Sequence, residues 1–137
     1  MYPAKFAGWK WKEVIPMSKY FAPAEFKHCT PACDISQMNP AFLERLDALR
    51  EFVGIPLVLN SAYRSKSYEK AHGRTGNSAH TRGLAVDIRC NTSTNRYKIV
   101  AGAIVCGFKR IGIGKTYIHL DVDSSLPQAV IWHYYGE

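Results

Sequence analysis

The sequence predicts an α+β fold, a small and largely antiparallel sheet packed against two main helices. Three observations carry this. Two stretches repeat apolar residues with helical period, at 39–54 and 93–107. Short strand-like runs lie between and after them, so helices and strands come in mixed order. Near the end, "RIGIG" and "TYIHLDVD" flank a tight turn at Gly114-Lys115, which reads as a hairpin.

The elements follow in order. Residues 1–17 carry Trp9 and Trp11 with no clear period and read as an N-terminal arm. "APAEF" (22–26) opens a short helix. "NPAFLERLDALREFVG" (39–54) is the strongest helix: Asn39 caps it, Pro40 takes the first helical position and Gly54 ends it. Its apolar face is Phe42, Leu43, Leu46, Leu49 and Val53. A strand follows at "PLVLN" (56–60). The polar, glycine-dotted stretch 61–80 is a loop with a short helix at 66–71; loops this long usually have a function or are disordered. "LAVDIR" (84–89) alternates as a strand. "STNRYKIVAGAIVCG" (93–107) is the second main helix, capped by Ser93 or Thr94, with a stripe of Tyr97, Val100, Ala101, Ile104 and Val105. "AVIWHYY" (129–135) is the last strand. No internal repeat or low-complexity tract interrupts residues 1–137, which are expected to form one domain.

Hydrophobic residues make up 47% of the chain and charged residues 21%, enough apolar material for one core without disulfide staples. Eighteen Lys+Arg against eleven Asp+Glu give a net charge of +7, which favours polyanionic surroundings but does not identify them. Cys29, Cys33, Cys90 and Cys106 contain no CxxC pair, which argues against a four-thiolate zinc site. Cys29 and Cys33 stand four residues apart with His28 beside them; disulfide, metal site and free thiols stay open, free thiols leading. Cys106 is expected in the core. No stretch approaches the roughly 18 apolar residues of a membrane span, and residues 1–20 lack the apolar run of a signal peptide.

Asp87 poses the functional question, because a carboxylate inside a strand is costly to bury alone. In "TYIHLDVD", alternation places Tyr117, His119, Asp121 and Asp123 on one face. If this strand pairs with 84–89, Asp87 and His119 meet, and His80 at the end of the loop can fold over them. Two imidazoles and a carboxylate, with one position left open, are the donor set of a catalytic zinc site. Each residue has a plainer reading: a surface loop histidine, a satisfied strand histidine, an aspartate paired with lysine or arginine. All three plain readings together are harder to sustain.

"SAYRS" (61–65), "SAHTRGLAVDI" (78–88) and "YIHLDV" (117–122) together resemble the M15 zinc peptidases, the D-alanyl-D-alanine carboxypeptidase and phage endolysin group, whose fold is related to the zinc domain of hedgehog proteins. Ser78, His80, Gly83, Ala85 and Asp87 match the family pattern S-x-H-x-x-G-x-A-x-D. The resemblance implies one zinc ion held by His80, Asp87 and His119, with Arg64 reaching the substrate, a role suited to a planar fork of donors. Ser78 and Tyr117 are further candidate substrate-binding positions; Tyr117 stands where some relatives place a histidine, and its alternative reading, which leads, is a packed tyrosine. The sequence departs from the family at Thr116, where many members carry an acidic general base. Asp121 is the proposed substitute, its alternative being a carboxylate that bonds His119; Asp123 is a weaker candidate.

The implied activity is zinc-dependent hydrolysis of amide bonds in peptidoglycan stem peptides, as a D,D-carboxypeptidase or an L-Ala-D-Glu-type endopeptidase. The alternative is a zinc-containing cell-wall peptide-binding module that does not cut. A nucleic-acid partner, suggested by charge and interspersed aromatics, would leave the histidines and Asp87 unexplained. The chain is expected to be a monomer, made in the cytoplasm and acting on the cell wall in the manner of a phage or prophage lysin.

Overall fold

The computed structural model describes residues 17–135, so most of the expected arm lies outside the described residues. Five strands form one sheet: β1 (Leu59–Ser61), β2 (Ala85–Arg89), β3 (Arg110–Ile113), β4 (Tyr117–Asp121) and β5 (Val130–His133), in the order β1-β2-β4-β3-β5. The pairings β1–β2, β2–β4 and β3–β4 are antiparallel, and only β5 runs parallel to its neighbour β3. The helices are α1 (Pro23–Lys27), α2 (Pro40–Val53), α3 (Lys66–Ala71) and α4 (Ser93–Val105). The α+β architecture is as expected. Among the described residues, no helix is long and apolar enough to cross a membrane.

Alternation along the strands sorts the sheet into two faces. Val86, Ile88, Ile111, Ile118 and Leu120 turn inward and are essentially fully buried against Phe42, Leu46 and Leu49 of α2 and Ile99 of α4. Each large apolar side chain removed from water contributes about 1.5–3 kcal/mol, and this layer fixes the register of the central strands. The opposite face carries a row across the sheet: Asp87 faces His119, His119 faces Gly112, and Gly112 faces Trp132. A slip by one residue would exchange that polar row with the core.

Helix α2 follows its sequence signals. The Asn39 side chain accepts the Phe42 N–H at 3.1 Å, Pro40 occupies the first turn, and Gly54 closes the helix at φ 69°, its N–H bonding the Arg50 carbonyl. Two expectations are corrected. The first strand is Leu59–Ser61 rather than 56–60, because pairing with β2 and not local propensity sets its limits. The cap of α4 is Thr92, whose hydroxyl accepts the Asn95 N–H, and its buried face is Ile99, Gly102 and Ala103. Tyr97, Ile104 and Val105 are exposed. A Cβ on Gly102 would lie 3.1 Å from Leu49 and 3.2 Å from Phe52, so α4 approaches α2 closely at Gly102, and Tyr97, Ile104 and Val105 are turned away.

Candidate metal centre

His80 sits in a 3₁₀ turn, Ala79–Arg82, that ends at Gly83. Gly83 has φ 69°, and a Cβ there would meet the Gln37 carbonyl oxygen at 2.3 Å, so the tight return of the chain into β2 requires glycine. The turn is tied down on both sides. The Arg64 N–H donates to the His80 carbonyl at 3.1 Å, and Arg82 pairs with Asp123 in the loop after β4.

This arrangement brings His80 onto the pair Asp87–His119. Asp87 Oδ1 lies 3.0 Å from His119 Nδ1 and 3.4 Å from His80 Nε2, and the two ring nitrogens are 3.2 Å apart. His80 and His119 are buried, while Asp87 is partly open to a cleft. The far sides of the rings determine the protons. His80 Nδ1 is 2.6 Å from the Ala62 carbonyl oxygen, which can only accept, so Nδ1 carries the hydrogen and Nε2 presents a lone pair. His119 Nε2 donates to Asp121 Oδ2 at 2.7 Å, which leaves Nδ1 as the second lone pair. Two lone pairs and a carboxylate oxygen thus face one point, an arrangement that repels itself without a cation. A tetrahedral ion with bonds near 2.0–2.1 Å holds its donors roughly 3.4 Å apart, close to the separations seen. These side chains therefore fit a metal ion.

Electrostatics agree with a cation-binding role. Burial alone would raise the Asp87 carboxyl, but the adjoining His119 and His80 rings outweigh it and hold it well below the usual carboxylate range. Burial holds His80 below the ordinary imidazole value, only partly offset by Asp87. For His119 burial acts downward too, yet the flanking Asp121 and Asp87 carboxylates carry it upward.

The donors lie on a cleft of about 310 Å³ whose walls include Arg64, Glu69, Ser78, Tyr117, Trp132 and Tyr134. Arg64 and Tyr117 line it as expected. Ser78 also lines it, but its hydroxyl donates to Glu69 Oε2 at 2.7 Å, so this atom is engaged within the protein. Asp121 is 1% exposed and stands behind His119: Oδ2 holds His119 Nε2, and Oδ1 accepts from Arg110 Nε at 2.8 Å and from the Asp123 N–H. Neither oxygen is free to take a proton from water at the cluster. Of the two roles open to Asp121, that geometry favours the carboxylate that orients His119 over the substitute base. Asp123 is turned to Arg82 and Ser125, and Thr116 is exposed in the β3–β4 turn.

Residues 19–123 match the sequence model of the family described as Peptidase M15. The chain belongs to the peptidase M15 family. The fold of this M15 chain is shared with the crystal structure of the Serratia marcescens L-Ala D-Glu endopeptidase ChiX, at a TM-score of 0.51 and 14% sequence identity, over 83% of this chain and 96% of that one. Identity at that level speaks for the fold alone. No curated protein sequence matches the M15 chain.

Several site residues were not singled out from sequence. Glu69 is 1% exposed on α3, where it accepts the Ser78 hydroxyl and stands 3.4 Å from Arg64 Nε. Its signal was present, an acidic residue in the short helix beside the motif, but indistinguishable from a solvated one. Arg110, Trp132 and Tyr134 come from strands whose register with β4 had to be known first. All four cysteines are free thiols; burial pushes the Cys29 thiol up to about 12, so it stays protonated and inert.

Proposed function

We propose that this M15 chain is a zinc-dependent peptidase that hydrolyses amide bonds in peptidoglycan stem peptides. The observation that carries the proposal is the convergence of His80 Nε2, Asp87 Oδ1 and His119 Nδ1, each with its other polar atoms arranged so that a donor faces the cleft. Zinc bound there supplies Lewis acidity toward the scissile carbonyl and an acidified water. The protein supplies the rest. Ala62 and Asp121 fix the two imidazoles by hydrogen bonds. Glu69 faces the Arg64 guanidinium, which borders the cleft and offers a fork of donors to a substrate carboxylate or carbonyl. Tyr117 closes the cleft on the β4 side.

The substrate class is supported by the M15 family and by an endopeptidase of this fold whose name specifies an L-Ala D-Glu bond. The +7 charge favours approach to anionic wall polymers. The whole site comes from one chain, as a monomer requires, and such a protein would act on the cell wall after synthesis in the cytoplasm, as a phage or prophage lysin does. The experiment is digestion of purified peptidoglycan with zinc-loaded protein, followed by mass spectrometry of the released peptides. New amino and carboxyl termini within the stem are expected, and their position distinguishes carboxypeptidase from endopeptidase cleavage.

One observation favours a second reading, a zinc-containing module that grips wall peptides without cutting them. Thr116 stands where many family members carry an acid, and Asp121 is taken up by His119 and Arg110, while Glu69 bonds Ser78 through Oε2 and has no partner at Oε1. Zinc-dependent binding to sacculi with no new termini would establish it over hydrolysis.

A further inference from the structure

We infer that Tyr134 is a catalytic residue of this site, its phenolic O–H donating to the carbonyl oxygen of the scissile amide as that oxygen becomes negative. The inference rests on the peptidase reading above and deepens it.

Tyr134 follows β5, and its N–H donates to the Ile113 carbonyl at 3.0 Å, which extends the strand past its last paired residue. Its ring does not lie on open surface. A Cβ on Gly112 would come within 2.8 Å of Tyr134 Cε2 and 2.9 Å of Trp132 Nε1. Gly112 is the register partner of His119, so the missing side chain there lets both aromatic rings settle over the row that holds the metal donors. The Trp132 ring is 5.5 Å from the His119 ring and the Tyr134 ring is 5.5 Å from that of Tyr117. Tyr134 borders the same cleft as the donors.

The Trp132 indole, whose N–H can only donate, meets the Tyr134 ring edge to face at 6.1 Å, and both rings crowd Gly112. Arg110 lies over the Trp132 ring at 4.9 Å, which adds positive charge behind the indole. The phenol also keeps its hydrogen: burial pushes it up to about 12, against the adjoining Trp132 indole and together with the nearby Asp87 charge.

The role needs no proton from Tyr134. Water oxygen bonds to the carbonyl carbon, the carbonyl π pair moves onto oxygen, the C–N bond then breaks, and the water proton ends on the leaving amine. Tyr134 retains its hydrogen throughout and only bonds the oxygen while it is charged. Stabilisation confined to that stage acts on kcat rather than on KM.

The test is Tyr134→Phe, which keeps the ring on Gly112, assayed with zinc-loaded protein on muropeptides beside the wild type. Expected are a fall in kcat of about 10²–10³ with KM and zinc content nearly unchanged, and a matching loss of affinity for a phosphinate analogue of the cleaved bond measured by calorimetry. Trp132→Phe should lower kcat less, and the double variant should be no slower than Tyr134→Phe alone. A Tyr134→Phe enzyme with kcat within about 3-fold of wild type, or one changed only in KM or zinc content, would overturn the assignment. Wild-type protein that binds the phosphinate but cuts no muropeptide would instead overturn the peptidase reading, and this assignment with it.

Discussion

Nδ1 of His80 and the carbonyl oxygen of Ala62 are 2.6 Å apart, although 18 residues separate them in sequence. This bond fixes which nitrogen of the buried imidazole faces Asp87. It also explains the position of "SAYRS" so far upstream of "SAHTRG": the first motif supplies the acceptor and the second the ring.

His80→Ala should therefore remove both a donor and the reason for the local geometry. Expected are loss of stoichiometric zinc in elemental analysis and loss of muropeptide cleavage. Zinc stabilises the folded state in proportion to its affinity for it, so added zinc should raise the Tm of the wild type and leave that of the variant unmoved. Equal Tm shifts in both proteins would place the ion elsewhere.

Asp121→Asn separates two roles. A carboxylate that orients a metal-bound histidine typically costs 10–100-fold in metal affinity when lost, and its loss is repaired by excess metal. A proton acceptor costs about 10²–10⁴ in rate at any metal concentration. The bonds from Asp121 to His119 and Arg110 predict the first outcome: Asp121→Asn should bind zinc more weakly and regain most of its rate at saturating zinc. A rate that stays low when the site is filled would return Asp121 to the role of base.

The parts of the fold and site that were legible depend on local or pairwise rules. Asn39, Pro40 and Gly54 bounded α2 because caps act through neighbouring backbone groups. The meeting of Asp87 with His119 followed from alternation once the two strands were assumed to pair. The buried face of α4 did not follow, since its apolar residues occupy most of its circumference and only the close approach at Gly102 selects one side. Nor did the part of Asp121, because alternation places it on the His119 face without showing that Arg110 on β3 already holds its other oxygen.

That correction to α4 has its own consequence. Ile104→Ser removes an exposed side chain and should change unfolding free energy by no more than about 0.5 kcal/mol in urea titration. Gly102→Val adds branched carbon atoms where Leu49 and Phe52 already stand at 3.1 and 3.2 Å, and overpacking of this kind costs about 1–3 kcal/mol. The reverse ranking would mean that α4 packs on its Ile104 side and not at Gly102.

Stability toward acid should depend on Asp123. Burial raises its carboxyl, but the hydrogen bonds from Ser125 and Arg82 outweigh it and hold it below the ordinary range. A folded-state value below the unfolded one stabilises the protein above the unfolded pKa, near 4 or roughly so, and that contribution fades as pH falls through the folded value. Asp123→Asn should thus be less stable than wild type at neutral pH and lose less on acidification, as read from urea midpoints. Parallel pH profiles would show that the Arg82–Asp123 clasp carries no such linkage.

Gly112 joins stability to function. It is the one position in the row between His119 and Trp132 with no side chain, and a methyl there would press on Trp132 and Tyr134 at 2.9 and 2.8 Å. Both neighbours are rigid rings, Trp132 bounded by His119 and Arg110 and Tyr134 by Tyr117, so neither can rotate aside without leaving the cleft. Gly112→Ala should keep the candidate metal donors, which lie on β2, β4 and the His80 turn, and displace the aromatic wall. Expected are near-normal zinc content, a destabilisation of about 1–3 kcal/mol, and a loss of kcat similar to that of Tyr134→Phe. A Gly112→Ala enzyme with normal kcat would show that catalysis does not need the rings where Gly112 lets them lie.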